Sequence, residues 1–228
     1  MYRTQQEIKD QFQALDKTLN YIKEKEAYFT PFYQNAKKVI VFGCGSSYML
    51  AKSVASQLEQ IAGIPAAAIA AGDYLVNEAS YKKMVQGSSL ISISRSGSTS
   101  EIIRAVRLAK DNGAAACLSV CARENAEIAA SSAYNLELPW CYDTSVCQTR
   151  TVTNLYAALL MSVAVFCNDQ ELIGCLMQAP EALSDPPTCM SNPARAFPHT
   201  SASAPAGDGR AQRRCGAPFP CLLYTSPP

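Results

Sequence analysis

Five hydroxyl side chains and one arginine stand between an apolar run and a helical pattern in SLISISRSGSTSEIIRAVRLAKDNG, residues 89–113. They are Ser94, Arg95, Ser96, Ser98, Thr99 and Ser100. A helix start offers free backbone amides and a partial positive charge, so hydroxyls placed there can close a cage around a phosphate without any lysine. Arg95 either adds a charge-assisted hydrogen bond to that cage or points to solvent. Plain helix capping competes with this reading, because Ser98 and Glu101 have the spacing of a capping box. Capping accounts for those two residues and leaves Ser94, Arg95, Ser96 and Thr99 unexplained.

Two further loops carry the same kind of chemistry. In GCGSS, residues 43–47, Gly43 and Gly45 permit a tight turn and Ser46 and Ser47 fall at a helix start. A dinucleotide fingerprint is not satisfied, because position 48 is Tyr where a third glycine is needed, and no GK[ST] follows to make a Walker loop. In DTSVCQTRTVTN, residues 143–154, Thr149 and Thr151 can cap a helix, Gln148 can hydrogen-bond a sugar hydroxyl, and Arg150 is either a ligand or an exposed cation. Together the three loops describe a polar pocket for a small anion that carries hydroxyls.

The elements that must position these loops follow from apolar periodicity. Ile8, Phe12, Leu15, Leu19 and Ile22 recur at helical steps within residues 3–28, which predicts an N-terminal helix or helical pair closing near Pro31. Strands are expected in KKVIVFG, the alanine-rich IPAAAIA, SSLISIS, AAACLSVC and YNLELP. Between them come a helix closed by Gly63, a short helix from about Asp73, a helix ending at Gly113 and a short helix in RENAEIAASS. The stretch TRTVTNLYAALLMSVAVFCN is apolar nearly all round, so it is expected to be buried, against another domain or subunit. Continuous apolar strands alternating with helices predict an α/β fold, a three-layer α/β/α sandwich with a parallel, flavodoxin-like sheet.

Composition limits the function classes. Net charge is +1 with 17% charged residues, which disfavours nucleic acid, and no apolar run reaches membrane-spanning length. The polar N-terminus MYRTQQEIKDQFQ lacks an export signal, so a cytoplasmic location is expected, and Cys44, Cys117, Cys121 and Cys167 read as small packing residues and not as metal ligands. Of 13 prolines, 10 lie in residues 180–228, where no period of either kind persists. Residues 179–228 are therefore expected to be a disordered natural tail or, as we read the abrupt change in composition, an out-of-frame stretch.

The segments VIVFGCGSSY, LISISRSGSTSEIIRAVRLAKDNG and SVCQTRTVTNLYAALL, in that order and spacing, resemble the SIS (sugar isomerase) domain family, over residues 35–178. The likeness is to the first SIS domain of two-domain sugar-phosphate isomerases: the isomerase part of glucosamine-6-phosphate synthases, aminosugar-phosphate deaminase/isomerases and fructoselysine-6-phosphate deglycases. The resemblance implies that Ser46, Ser47, Ser94, Arg95, Ser96 and Thr99 surround the phosphate and sugar, and that Val146 and Gln148 approach the sugar. Arg95 stands where the synthase branch has Gln, which leans toward the deaminase and deglycase branches. The implied reaction is ring opening and proton transfer between C1 and C2, without a cofactor or metal, in a homo-oligomer. In the family the acid and base come from the second SIS domain and a neighbouring subunit, so the catalytic residues of this chain are unassigned. Its one histidine, His199, lies in the anomalous tail, and Glu78, Glu101 and Asp143 are carboxylate candidates by position only. An alternative is a non-catalytic phosphosugar-sensing module. Residues 1–34 are too short for the DNA-binding domain such regulators carry, and a single-domain isomerase fits the QTRTVTN loop less well.

Overall fold

The structure is a computed structural model that describes residues 2–184. In chain order the helices and strands are α1 (Arg3–Glu24), α2 (Glu26–Gln34), β1 (Val39–Gly43), α3 (Ser46–Ala62), β2 (Ala66–Ala70), α4 (Ala71–Val76) and α5 (Glu78–Val85). There follow β3 (Ser89–Ser94), α6 (Ser100–Asp111), β4 (Cys117–Cys121), β5 (Tyr134–Glu137), α7 (Arg150–Phe166) and α8 (Gln170–Ser184). Single 3-10 turns occupy Glu127–Ser131 and Pro139–Cys141.

The five strands form one parallel sheet in the order β2-β1-β3-β4-β5. This is the flavodoxin-like order that the family resemblance implies, and its switch point lies between β1 and β3. Every residue of β1, β3 and β4 is buried, which is why these strands read as continuous apolar runs and not as alternations. One face of the sheet is closed by α4, α5 and α6, where Ile40, Phe42 and Leu90 meet Tyr74, Ile102 and Val106. On the other face α3 packs against β1, β2 and α7, and α7 is flanked in turn by α1, α2 and α8.

That second layer answers the question of what covers α7. From Leu155 to Val165 only Tyr156 is not buried. The cover comes from helices of the same chain, so its apolar circumference needs no second domain or subunit. Tyr33 of α2 hydrogen-bonds Ser162 at 2.7 Å, and Thr18 of α1 donates to Asn154 Oδ1 at 2.5 Å. The N-terminal helices are thus tied to the core by polar as well as apolar contacts.

Several local expectations are corrected. Pro31 lies inside α2, which runs on to Gln34: it removes the amide that would bond Ala27 C=O without ending the helix, and its own C=O still accepts from Asn35 N–H at 3.2 Å. The buried stripe of α1 is Glu7, Ala14, Leu15, Thr18, Leu19 and Ile22, whereas Ile8 is 45% exposed. Leu15, Leu19 and Ile22 lie on the stripe as the pattern predicts, and the departure is confined to its start, where Ile8 faces solvent and Phe12 is half-buried. Helix α8, which the apolar periodicity did not single out, spans the expected boundary at residue 178. Gly63 closes α3 in the left-handed conformation, φ 65°, as its position implied. Residues 179–184 of the expected tail are helical, with Ala179 and Pro180 buried, against the expectation of no packed element there; the rest of the tail, and His199 with it, lies outside the described residues. No helix among the described residues is long and apolar enough to cross a membrane.

Candidate functional site

A cleft of about 130 Å³ opens at the carboxyl ends of β1 and β3, the switch point of the sheet, where open α/β sheets hold ligands. It is lined by Cys44 and Ser47 from the first loop, by Ser94, Arg95, Ser96 and Thr99 from the second, and by Gln148 from the third, over a floor that includes Ile93 and Ile102. Of the eight residues expected to line a site, six converge. The other two do not: Ser46 is exposed on the outer side of the turn, and Val146 is 93% exposed to solvent.

The backbone at the first loop makes the approach possible. Gly45 adopts φ 54° and ψ −125°, and Ser47 N–H donates to Cys44 C=O at 3.0 Å, turning the chain directly from strand to helix. Ser47 is consequently buried at 6% exposure with its hydroxyl facing the cleft. Among the described residues nothing hydrogen-bonds that hydroxyl, and the Gln148 amide side chain is likewise free.

The second loop is held by its own hydroxyls. Ser94 Oγ accepts from Gly97 N–H at 3.0 Å and lies 3.1 Å from Thr99 Oγ1, while Ser96 Oγ accepts from Ser98 N–H at 3.3 Å. Gly97 has φ 62°, and a Cβ there would sit 2.4 Å from that of Ala126, so glycine is required on both counts. The capping box of Ser98 and Glu101 does not form. Helix α6 starts one residue later, Thr99 occupies the N-cap without a side-chain cap, and Glu101 accepts from Ser100 Oγ at 3.0 Å. Burial pushes the Cys44 thiol up, with the negative charge of Glu101 adding to it, so this cysteine is not poised as a thiolate.

The third loop is organised by two carboxylates rather than by threonines. Asp143, 1% exposed, accepts from Thr149 N–H at 2.7 Å and Thr151 N–H at 2.9 Å, and so caps α7 from outside the helix. Its Oδ1 lies 3.6 Å from Arg150 Nε, and Arg150 Nη2 donates to Tyr142 C=O at 2.6 Å. Thr149 makes no cap, and the Thr151 hydroxyl donates to Cys141 C=O at 2.7 Å. Arg150 is therefore neither a ligand nor an exposed cation, and Asp143 is a structural cap.

Glu7, unassigned from sequence, is the second carboxylate. Its Oε1 accepts from Thr144 N–H at 2.7 Å, Thr144 Oγ1 at 3.1 Å and Ser145 N–H at 3.1 Å, and its Oε2 accepts from the Ser145 hydroxyl. Ser145 C=O in turn accepts from Arg95 Nη1 at 3.0 Å. Helix α1 thus latches the loop that carries Gln148, and that loop fixes Arg95. The available signal was a charged residue on the core-facing stripe of an amphipathic helix.

Burial pushes the Glu7 carboxyl up, but the bonds from Ser145 and Thr144 outweigh it and hold the group below its ordinary value of 4.5. A depressed carboxyl contributes stability above its unfolded pKa and loses it as pH falls through the folded one. Glu7→Gln is therefore expected to lower the melting temperature at pH 7 by roughly 2–4 °C, since Gln cannot accept from the Ser145 hydroxyl at its amide nitrogen. Scanning calorimetry at stepwise lower pH should show the gap between wild type and variant closing below about pH 4.5. A gap that widens in acid would contradict the latch.

The remaining carboxylate candidates are engaged elsewhere: Glu78 accepts from Asn112 Nδ2 at 2.7 Å, and Glu101 is exposed on α6. Among the described residues no carboxylate lines the cleft and no three potential metal ligands come together.

The fold is a parallel doubly wound sheet with a hydroxyl-lined cleft at its switch point. Comparison with known proteins makes the class specific: residues 32–166 match the SIS domain model, and the chain belongs to that family. Among curated proteins it is 30% identical, over 169 residues, to the isomerizing glutamine–fructose-6-phosphate aminotransferase of Shewanella oneidensis, and 28% identical over 171 residues to that of Wigglesworthia glossinidia brevipalpis. These alignments take in 70% and 71% of the chain but 27% of each relative, so the chain spans about a quarter of their length. In fold it is similar to the tagatose-6-phosphate ketose/aldose isomerase of Escherichia coli, with TM-score 0.68 and 21% identity over 80% of this chain and 52% of that one. It is also similar to the C-terminal domain of glucosamine-fructose-6-phosphate aminotransferase from Francisella tularensis, with TM-score 0.65 and 19% identity over 81% of this chain and 53% of that one.

Proposed function

We propose that the cleft holds the phosphate of a hexose or aminosugar phosphate, and that the chain is the phosphosugar-binding part of an aldose–ketose isomerase or deaminase. The observation that carries this reading is the pair of unengaged polar groups in the cleft, the Ser47 hydroxyl and the Gln148 amide, beside the start of α6. Ser47 is buried and Gln148 half-buried, and neither side chain spends its hydrogen-bonding capacity on the fold, so both are open at the carboxyl edge to a ligand rich in polar groups. Ser94, Ser96 and Thr99 surround the same space, and Arg95 supplies one positive charge. The relatives named for fructose 6-phosphate and tagatose 6-phosphate chemistry point to the same ligand class.

Ring opening and proton transfer between C1 and C2 require an acid and a base within hydrogen-bond reach of the sugar. Among the described residues, those that line the cleft offer neither carboxylate nor imidazole. The reading is therefore that this chain by itself binds the sugar phosphate and does not turn it over. The same observation favours a second reading, a module that senses a phosphosugar without catalysis. An isomerase and ammonia-release assay on the purified chain separates both from an autonomous enzyme, because measurable turnover would place an acid and a base in this chain.

Binding is tested by calorimetric titration of the full chain with fructose 6-phosphate and glucosamine 6-phosphate. Ser47→Ala is expected to weaken binding about tenfold, the worth of one hydrogen bond to a charged group, and to leave the melting temperature unchanged because the hydroxyl has no partner in the fold. Equal affinity in wild type and Ser47→Ala would remove the phosphate from this cleft.

A further inference from the structure

The carboxyl edge of the sheet carries a second, unneutralised positive group next to the cleft. Arg95 follows β3 and Arg123 follows β4, and both guanidinium groups meet the ring of Tyr142, their central carbons 5.9 Å and 4.5 Å from its centroid. Arg123 Nη2 also donates to the Tyr142 hydroxyl at 2.9 Å, and Arg95 Nη1 to Ser145 C=O. Each is held by neutral acceptors and an aromatic face. Among the described residues neither forms an ion pair, whereas Arg150 at the same edge is paired with Asp143.

Three carboxylates near this edge are engaged, and Glu124, beside Arg123 in the chain, is exposed and forms no ion pair with it. Asp143 is buried on the α7 amides and Arg150, Glu7 is buried on Thr144 and Ser145, and Glu137 accepts from Asn125 N–H at 3.2 Å. Two cations sharing one ring repel each other unless an anion lies between or beside them. Cation–π contact orients them without cancelling their charge. Arginine presents a planar fork of donors suited to a carboxylate or phosphate, and here each fork has been positioned in advance.

We infer that Arg95, Tyr142 and Arg123 form a second anion subsite, and that the ligand is a sugar phosphate carrying a second anionic group, with its phosphate in the hydroxyl cleft. Arg95 lines the cleft and touches the Tyr142 ring, so the two positions are continuous. Neighbouring parallel strands are about 4.8 Å apart, so a subsite one strand over lies within the span of an extended hexose. The inference rests on the phosphosugar reading of the cleft and adds to it the identity of the other end of the ligand.

Three probes test it on the full chain by calorimetry: fructose 6-phosphate with one anionic group, 6-phosphogluconate with an added carboxylate, and fructose 1,6-bisphosphate with an added phosphate. Wild type should bind at least one doubly anionic probe about tenfold more tightly than fructose 6-phosphate, and which probe gains identifies the second group. Arg123→Gln, at an exposed position where folding is not at stake, should bring that ratio within about twofold. Raising the salt concentration should shrink the wild-type ratio. Equal affinity for all three probes, or a ratio that survives Arg123→Gln, overturns the subsite and leaves the phosphate cleft standing. No binding by any probe overturns both.

Discussion

Gly43→Ala is expected to destabilise the protein by about 3 kcal/mol or more and to abolish sugar-phosphate binding. A Cβ at this position would lie 2.4 Å from Ser47 O, 2.5 Å from Ser47 C and 2.6 Å from Tyr48 N. All three are backbone atoms of the first turn of α3, so no side chain can swing aside. The helix must lift from β1, and Ser47 moves with it out of the cleft. For a domain of this size the melting temperature should fall by roughly 6–12 °C. Gly45→Ala is the comparison: it meets nothing within 4 Å, so only its positive φ opposes the substitution, at a cost of about 1–3 kcal/mol. Thermal melts of the two variants, with fructose 6-phosphate titrations on each, distinguish contact from conformation. If Gly43→Ala binds like wild type, the close approach of strand and helix does not position the site.

Asp143→Ala is expected to cost about 3–5 kcal/mol, because it leaves Arg150 buried without its partner and two helix-start amides without an acceptor. The Arg150 side chain is only 17% exposed and cannot readily turn to water. Asp143→Asn keeps an oxygen for the amides of Thr149 and Thr151 but also leaves Arg150 without its anion, so it should recover only the cap, about 1–2 kcal/mol of the loss. Urea denaturation at neutral pH measures both. Equal losses in the two variants would mean that the charge on Asp143, rather than its geometry as a cap, is what α7 needs.

The sheet and the cleft differ in how far the sequence discloses them. Buried parallel strands leave uninterrupted runs such as VIVFG and SLISIS, and strand ends followed by glycine and serine mark the carboxyl edge, so the fold and six lining residues can be read without coordinates. Ser46 and Val146 could not be sorted from their neighbours that way. Which face of a two-residue turn points inward depends on the φ of Gly45, and the direction of Val146 depends on a loop fixed from outside by Glu7 and Asp143. The capping threonines of α7 failed for a related reason, whereas the Ser98–Glu101 box failed because α6 starts only at Ser100. A helix N-terminus has several local candidates for an acceptor, and a carboxylate arriving from six or eight residues away, as Asp143 does, defeats all of them. Arg95 was legible as a cation, but its partners Tyr142 and Arg123 come from separate strand ends that only the sheet order brings side by side.

The latch between Glu7 and residues 144–145 ties together parts of the chain separated by 137 and 138 positions. Thr18 with Asn154 and Trp140 with Thr18 close loops of similar length, 136 and 122 positions. Contacts of such separation raise the contact order and are formed against a loop-closure entropy that local helix and β–α–β contacts escape. Helix α1 is thus expected to dock late, after the sheet has assembled, and the third loop and Arg95 become fixed only when it does. The pocket is the last feature of the domain to mature, and during synthesis helix α1 waits for the third loop, more than a hundred residues later, before the two complete it.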